Sequence, residues 1–99
     1  MHLFIIMYRC LYYVNDVYIK HMDNLVIDIN KKIGIRIKIE RFNRKISQEK
    51  LAEQSGLNRT TIGYIERGEI SPTIETLYKI ATALEIELHD LVNITKINI

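Results

Sequence analysis

The chain has 99 residues, 47% of them hydrophobic and 26% charged, with a formal net charge of +2, one cysteine and no tryptophan. That length holds one domain plus an arm; the single Cys10 excludes an intramolecular disulfide, and no Cys/His spacing resembles a zinc site. Charge is unevenly spread: residues 31–67 carry ten Lys/Arg against four Asp/Glu, residues 68–99 carry two against five, and residues 1–30 carry a net −1, so a polyanion would be drawn to the middle of the chain.

Residues 1–30 differ from the rest. Four of the six tyrosines, Tyr8, Tyr12, Tyr13 and Tyr18, lie here. The run HLFIIMYRCLYYV is apolar, aromatic and β-branched, which favours a strand, and Asn15-Asp16 reads as a turn before VYIKHM. Arg9 interrupts the apolar run far short of the ~20 residues of a membrane span. No Lys or Arg precedes the run and no small-residue cleavage site follows it, against a signal peptide. Met22, followed by DNLVIDINKKIG, would be a natural start for a compact domain. Residues 1–21 are then either upstream translation or a poorly ordered arm, or else an element of a dimer contact. The reading is an arm over residues 1–30, open between strand and disorder, and a domain over residues 31–99. His2, His21 and His89 are scattered and read as surface residues.

In NKKIGIRIKIERFNRK, Ile33, Ile35, Ile37 and Ile39 alternate as in a strand, whereas Ile33, Ile37 and Arg41 follow helical spacing. Helix is the better reading, because the elements that follow need a preceding helix to cover their apolar face; Ile35 and Ile39 are then partly exposed. Next comes SQEKLAEQSGLNRTTIGYIERG, residues 47–68. Gln48 and Leu51 open a helix, and Ala52 sits where two helices cross closely. Gly56 ends the helix where a left-handed backbone is needed. Leu57 turns inward, Asn58 caps a second helix, and Ile62 and Ile65 point back onto Leu51 and Ala52. This is the pattern of a helix-turn-helix, whose second helix enters the major groove. After EISPT, Thr73 caps a further helix with Glu75 in its first turn. Ile74, Leu77, Tyr78, Ala81 and Leu84 form one apolar stripe, and a short last helix covers about residues 88–92.

Together, SQEKLAEQSGLNRTTIGYIERG and ISPTIETLYKIATALEIELHDLV resemble the Cro/repressor-type, or xenobiotic-response-element, helix-turn-helix family over about residues 31–92. The resemblance implies an all-α, compact five-helix, lambda-repressor-like DNA-binding domain that binds operator DNA as a dimer, with the motif at residues 47–67. It also implies a buried ion pair between Arg41 and Glu66, and a backbone-contacting glutamine at Gln48. On chemical grounds Asn58, Arg59, Thr60 and Thr61 lie at the N-terminus of the recognition helix, where free N–H groups favour phosphate. Arg59 is the first candidate for reading guanine. Thr60 and Tyr64 share the exposed face one turn apart, and Arg67 is expected to meet backbone. Gly63 stands where a larger side chain is often seen on this face, so fewer bases are expected to be read.

These readings lead to a sequence-specific regulator, a repressor of a phage, mobile-element or restriction–modification operon, acting on double-stranded DNA in the cytoplasm. The alternative is an antitoxin that binds a toxin protein through the arm and also binds its own promoter. No nucleophile–base pairing, phosphate-binding loop or metal cluster is written in the chain, so no catalytic residue, cofactor or metal is expected. Leu84, Ile86, Leu88, Leu91 and Val92 offer more apolar surface than one short helix can bury, which predicts a homodimer built by the C-terminal part.

Overall fold

The computed structural model describes residues 15–96; side chains are described for residues 22–95. Among the described residues there are five α-helices and a terminal 3-10 turn: α1 (Asn15–Asn43), α2 (Gln48–Ser55), α3 (Arg59–Glu66), α4 (Ile74–Ala83), α5 (Leu88–Leu91) and Ile94–Lys96. The strand expected over residues 2–14, and Cys10 with it, lies outside them.

Helix α1 is where the structure departs most from the sequence reading. Asn15 and Asp16, the first described residues, lie in this helix and not in a turn, and the helix crosses residue 30 without a break. Residues 15–30 are therefore helical, neither strand nor disordered arm. What changes near residue 30 is burial. Residues 22–29 are all exposed, including Met22, Leu25, Val26, Ile27 and Ile29. From there the four-residue spacing takes over, with Ile33, Ile37 and Arg41 buried on one face. The helical period therefore prevailed over the isoleucine alternation, leaving Ile35 half-buried and Ile39 exposed. Ion pairs one turn apart, Lys32–Asp28 (3.1 Å), Arg36–Glu40 (3.0 Å) and Arg44–Glu40 (2.7 Å), brace the solvent side. Lys45 adopts a left-handed φ of 55° and stops the helix, with Ile46 N–H returning to the Arg41 carbonyl at 3.3 Å.

The next three helices begin on side-chain caps. Ser47 accepts from Lys50 N–H (3.0 Å), Asn58 from Thr61 N–H (2.7 Å) and Thr73 from Thr76 N–H (3.1 Å). Gly56, at φ 71°, ends α2 while Leu57 N–H bonds the Ala52 carbonyl at 2.9 Å. One core joins all five helices: Ile37, Leu51, Ile62, Ile65, Ile80, Leu84 and Leu91 are the large side chains with essentially no exposure.

Two expectations need correction here. The buried stripe of α4 is Leu77, Ile80, Ala81 and Leu84, whereas Ile74 and Tyr78 are 74% and 61% exposed. Tyr78 lies about 100° around the helix from Leu77, and Ile74 is the first residue of α4. Leu84 and Leu91 are completely buried within their own chain, and Ile86 and Leu88 pack against the same core. The C-terminal helix thus buries most of the apolar surface that had been assigned to a partner; Val92 remains exposed. No described helix is long and apolar enough to cross a membrane.

Candidate nucleic-acid interface

Helix α3 has two unlike faces. Ile62 and Ile65 lie in the core, while Arg59, Thr60 and Tyr64 are exposed and Thr61 is half-buried. The C-terminal end of α3 is tied to α1 by a buried ion pair. Arg41 from α1 grips Glu66, the last residue of α3, with Nε donating to Oε2 at 2.7 Å and Nη2 to Oε1 at 3.0 Å. Both side chains are buried. Arg41 Nη1 also donates to the Ile46 carbonyl at 2.9 Å, tying the loop before α2 to the same guanidinium. Its face lies against Phe42, 4.7 Å from the ring centroid.

Two glycines bring α1 and the end of α3 together more closely than any side chain would permit. A Cβ on Gly34 would lie 2.6 Å from the Glu66 carbonyl oxygen and closer still to that of Ile65. Gly68, at φ 70°, approaches α1 just as tightly: a Cβ there would meet Lys31 Cα at 2.8 Å. Asn30 adds a hydrogen bond to Ser71 Oγ at 2.7 Å. The sequence reading passed over Gly34. Its signal was a glycine in mid-helix, which is tolerated only with a packing reason.

The residues expected to meet DNA divide into free and engaged groups. Arg59, at the first position of α3, is exposed and has no acidic partner among the described residues. The first-turn N–H groups of Arg59 and Thr60 likewise have no acceptor among the described residues, whereas Thr61 N–H is taken by Asn58. Asn58 is exposed, with its side-chain oxygen committed to that cap. Gln48 opens α2 half-buried, and one amide N–H is engaged with Glu66 Oε1 at 3.1 Å. The glutamine is therefore part of the Arg41–Glu66 network as well as a residue at a helix start.

Arg67 is engaged within its own chain. It follows α3 as the C-cap, and its side chain leans back along the helix. Its guanidinium lies 5.3 Å from the Tyr64 ring centroid, and Nε donates to Glu69 Oε1 at 2.9 Å. The hydrogen bond that Arg67 donates to Glu69 is the main influence that raises the Arg67 pKa above its ordinary value. The guanidinium covers Gly63: a Cβ on that glycine would meet Nη1 at 3.0 Å. Gly63 is thus buried beneath Arg67. Glu69 was missed altogether. The Arg-Gly-Glu order was its one signal, since the left-handed Gly68 folds the chain back and brings Glu69 N–H to the Tyr64 carbonyl at 2.9 Å.

Pairing thins the positive charge of residues 31–67. Arg36 and Arg44 share Glu40, Arg41 faces Glu66, Lys50 faces Glu53 and Arg67 faces Glu69. Among the described residues, Arg59 at the start of α3 is in no ion pair.

Comparison with known proteins gives concordant matches. The helix-turn-helix family profile matches residues 35–91. The control protein C.SmaI of Serratia marcescens is 39% identical over 69 residues, covering 70% of this chain and 82% of that protein. The immunity repressor protein of Bacillus phage phi105 is 40% identical over 60 residues, covering 61% of this chain and 42% of the repressor's length. Among solved structures, the restriction–modification controller protein C.AhdI from Aeromonas hydrophila superimposes with a TM-score of 0.64 at 38% identity, over 66% of this chain and 94% of that one.

Proposed function

This chain belongs to the Cro/repressor-type helix-turn-helix family, and on that premise we propose that it is a transcriptional regulator that binds double-stranded DNA sequence-specifically. The observation that carries the reading is α3 itself: Ile62 and Ile65 fix one face in the core, and the opposite face offers Arg59, Thr60 and Tyr64 to a groove. Arg59 reads a guanine edge, Thr60 meets a thymine methyl, and Tyr64 lies on the same face one turn on. The N-terminus of α3, with Asn58 and Thr61, receives a phosphate. Gln48 offers its second amide hydrogen to the backbone while Glu66 holds the first. Arg41 and Glu66 act structurally.

An eight-residue recognition helix spans about 12 Å, so one copy reads only a few base pairs. A homodimer with recognition helices about 34 Å apart would double the site and make the operator a near-palindrome. The matches to a phage repressor and to restriction–modification control proteins favour repression of an operon of that kind over the antitoxin reading, and a cytoplasmic location. Selection from a randomised duplex library followed by footprinting tests this. An enriched palindromic motif protected over two half-sites is expected. Equal retention of all duplexes, with a steep salt dependence, would leave a non-specific binder in place of a regulator.

A further inference from the structure

Arg67, Tyr64, Gly63 and Glu69 form one arrangement that the phosphate role first expected for Arg67 does not explain. Arg59, Gly63 and Arg67 follow one another at four-residue spacing, the two arginines exposed and Gly63 buried between them. Side chains on a helix lean toward its N-terminus, and Arg67 does so, laying its guanidinium over Gly63 and beside the Tyr64 ring. Any larger residue at position 63 would occupy that place. The Nε edge is bonded to Glu69 at 2.9 Å, so the unengaged donors are the terminal Nη groups. We infer that Arg67 is a specificity-determining residue: a buttressed arginine that reads a guanine through its two terminal nitrogens, with Glu69, Tyr64 and Gly63 setting its pose.

The chemistry separates this role from a phosphate contact. A carboxylate bonded to the guanidinium repels a phosphate and offsets the charge that would attract one. A guanine edge is neutral and presents two acceptors, O6 and N7, which match two parallel N–H donors. Glu69 therefore weakens Arg67 as a backbone anchor but leaves it competent for a base. The buttress also lowers the entropy lost when a long side chain is fixed at an interface. Arginines would then stand at both ends of the recognition helix.

The inference rests on the DNA-binding reading, and its test separates the two. The full chain and the variants Arg67→Lys, Glu69→Gln and Gly63→Ala are selected against the same randomised duplex library. Affinities are then measured for the enriched duplex and for its single-base changes. Arg67 and Glu69 are about half exposed, so fold is retained and is checked by circular dichroism. The wild type is expected to prefer guanine at one position per half-site by about 5- to 150-fold, the range of one good bidentate contact. That preference collapses in Arg67→Lys, where the paired donors are gone, and falls several-fold in Glu69→Gln and Gly63→Ala, where the pose is loosened or displaced. Preference at the position read by Arg59 persists in all three. If Arg67→Lys keeps every base preference, Arg67 is a backbone contact and the inference is wrong. If Glu69→Gln strengthens binding to all duplexes equally without altering preference, Glu69 is only a like charge near DNA and the buttress is wrong. If the wild type selects no motif, the sequence-specific reading itself fails and takes this inference with it.

Discussion

Replacing Gly34 with alanine sets two effects of opposite sign against each other. Helix propensity alone favours alanine in mid-helix by about 0.8–1.0 kcal/mol. The packing opposes it. The new Cβ would lie 2.6 Å from the Glu66 carbonyl oxygen and 2.9 Å from its carbonyl carbon, with the Ile65 oxygen nearer still. An ordinary carbon–oxygen contact is about 3.3–3.6 Å, so the helices must part by nearly 1 Å. The obstructing atoms are backbone and no rotamer change relieves them. Overpacking of this kind costs about 1–3 kcal/mol. The shift would also stretch the bidentate Arg41–Glu66 pair, whose bonds of 2.7 and 3.0 Å leave no slack; complete rupture of such a pair costs about 3–5 kcal/mol. The net expectation is a loss of about 2 kcal/mol, or about 8–16 °C in Tm for a domain of this size. Thermal denaturation followed at 222 nm measures it. A rise in Tm would refute the argument, because propensity would then outweigh a contact too loose to matter.

Three further outcomes follow from the same contacts. Arg41→Met should destabilise the fold by about 3–5 kcal/mol in urea denaturation by leaving Glu66 buried without its cation, and Glu66→Leu added to it should recover much of that loss. Asn58→Ala should lower stability by about 0.5–2 kcal/mol through loss of the α3 cap, with base preferences retained, whereas Arg59→Ala should weaken binding to the selected duplex by about 1–3 kcal/mol and relax one base position with stability unchanged; competition binding on both variants distinguishes them. Deleting residues 1–21 should leave a folded domain with the same Tm within about 3 °C, since the described core begins at Ile33; unfolding of the shortened chain would mean that the N-terminal part of α1 is structural.

What could be read in the sequence was local. The caps Asn58 and Thr73, the left-handed Gly56 and the inward Ile62 and Ile65 each depend on a residue's own backbone preferences or on one helical period. All stand in the structure as the pattern implied. What could not be read depends on contacts between elements distant in the chain. Gly34 has no meaning until α3 arrives against it, thirty residues later. Ile74 and Tyr78 look like members of a core stripe because hydropathy cannot say which side of α4 the other helices take. Leu84 and Leu91 seemed too many for one short helix only because α5 was weighed without α1, against which it also packs. The Asn15-Asp16 turn failed for a different reason. Both residues occur in helices as well as in turns, and here they lie in α1.

The contacts divide the recognition helix into two mechanical halves. Its C-terminal end is held by Gly34 against the Ile65 and Glu66 carbonyls, by Arg41 and Gln48 on the Glu66 carboxylate, and by Gly68 against Lys31. Its N-terminal end is held by the Asn58 cap and by Ile62, completely buried in the core, with Arg59 and Thr60 exposed. A substitution at the clamped end therefore tilts the helix about its core side chains and changes where Arg59 points. Over the 12 Å or so of an eight-residue helix, a tilt of a few degrees displaces Arg59 by about 1 Å, enough to spoil a bidentate base contact that tolerates about 0.5 Å. Loss of specificity after a change at Gly34 or Arg41 is thus expected even at temperatures where the variant remains folded, and it should fall on the Arg59 base position before the Arg67 one, because Arg67 sits beside the clamp.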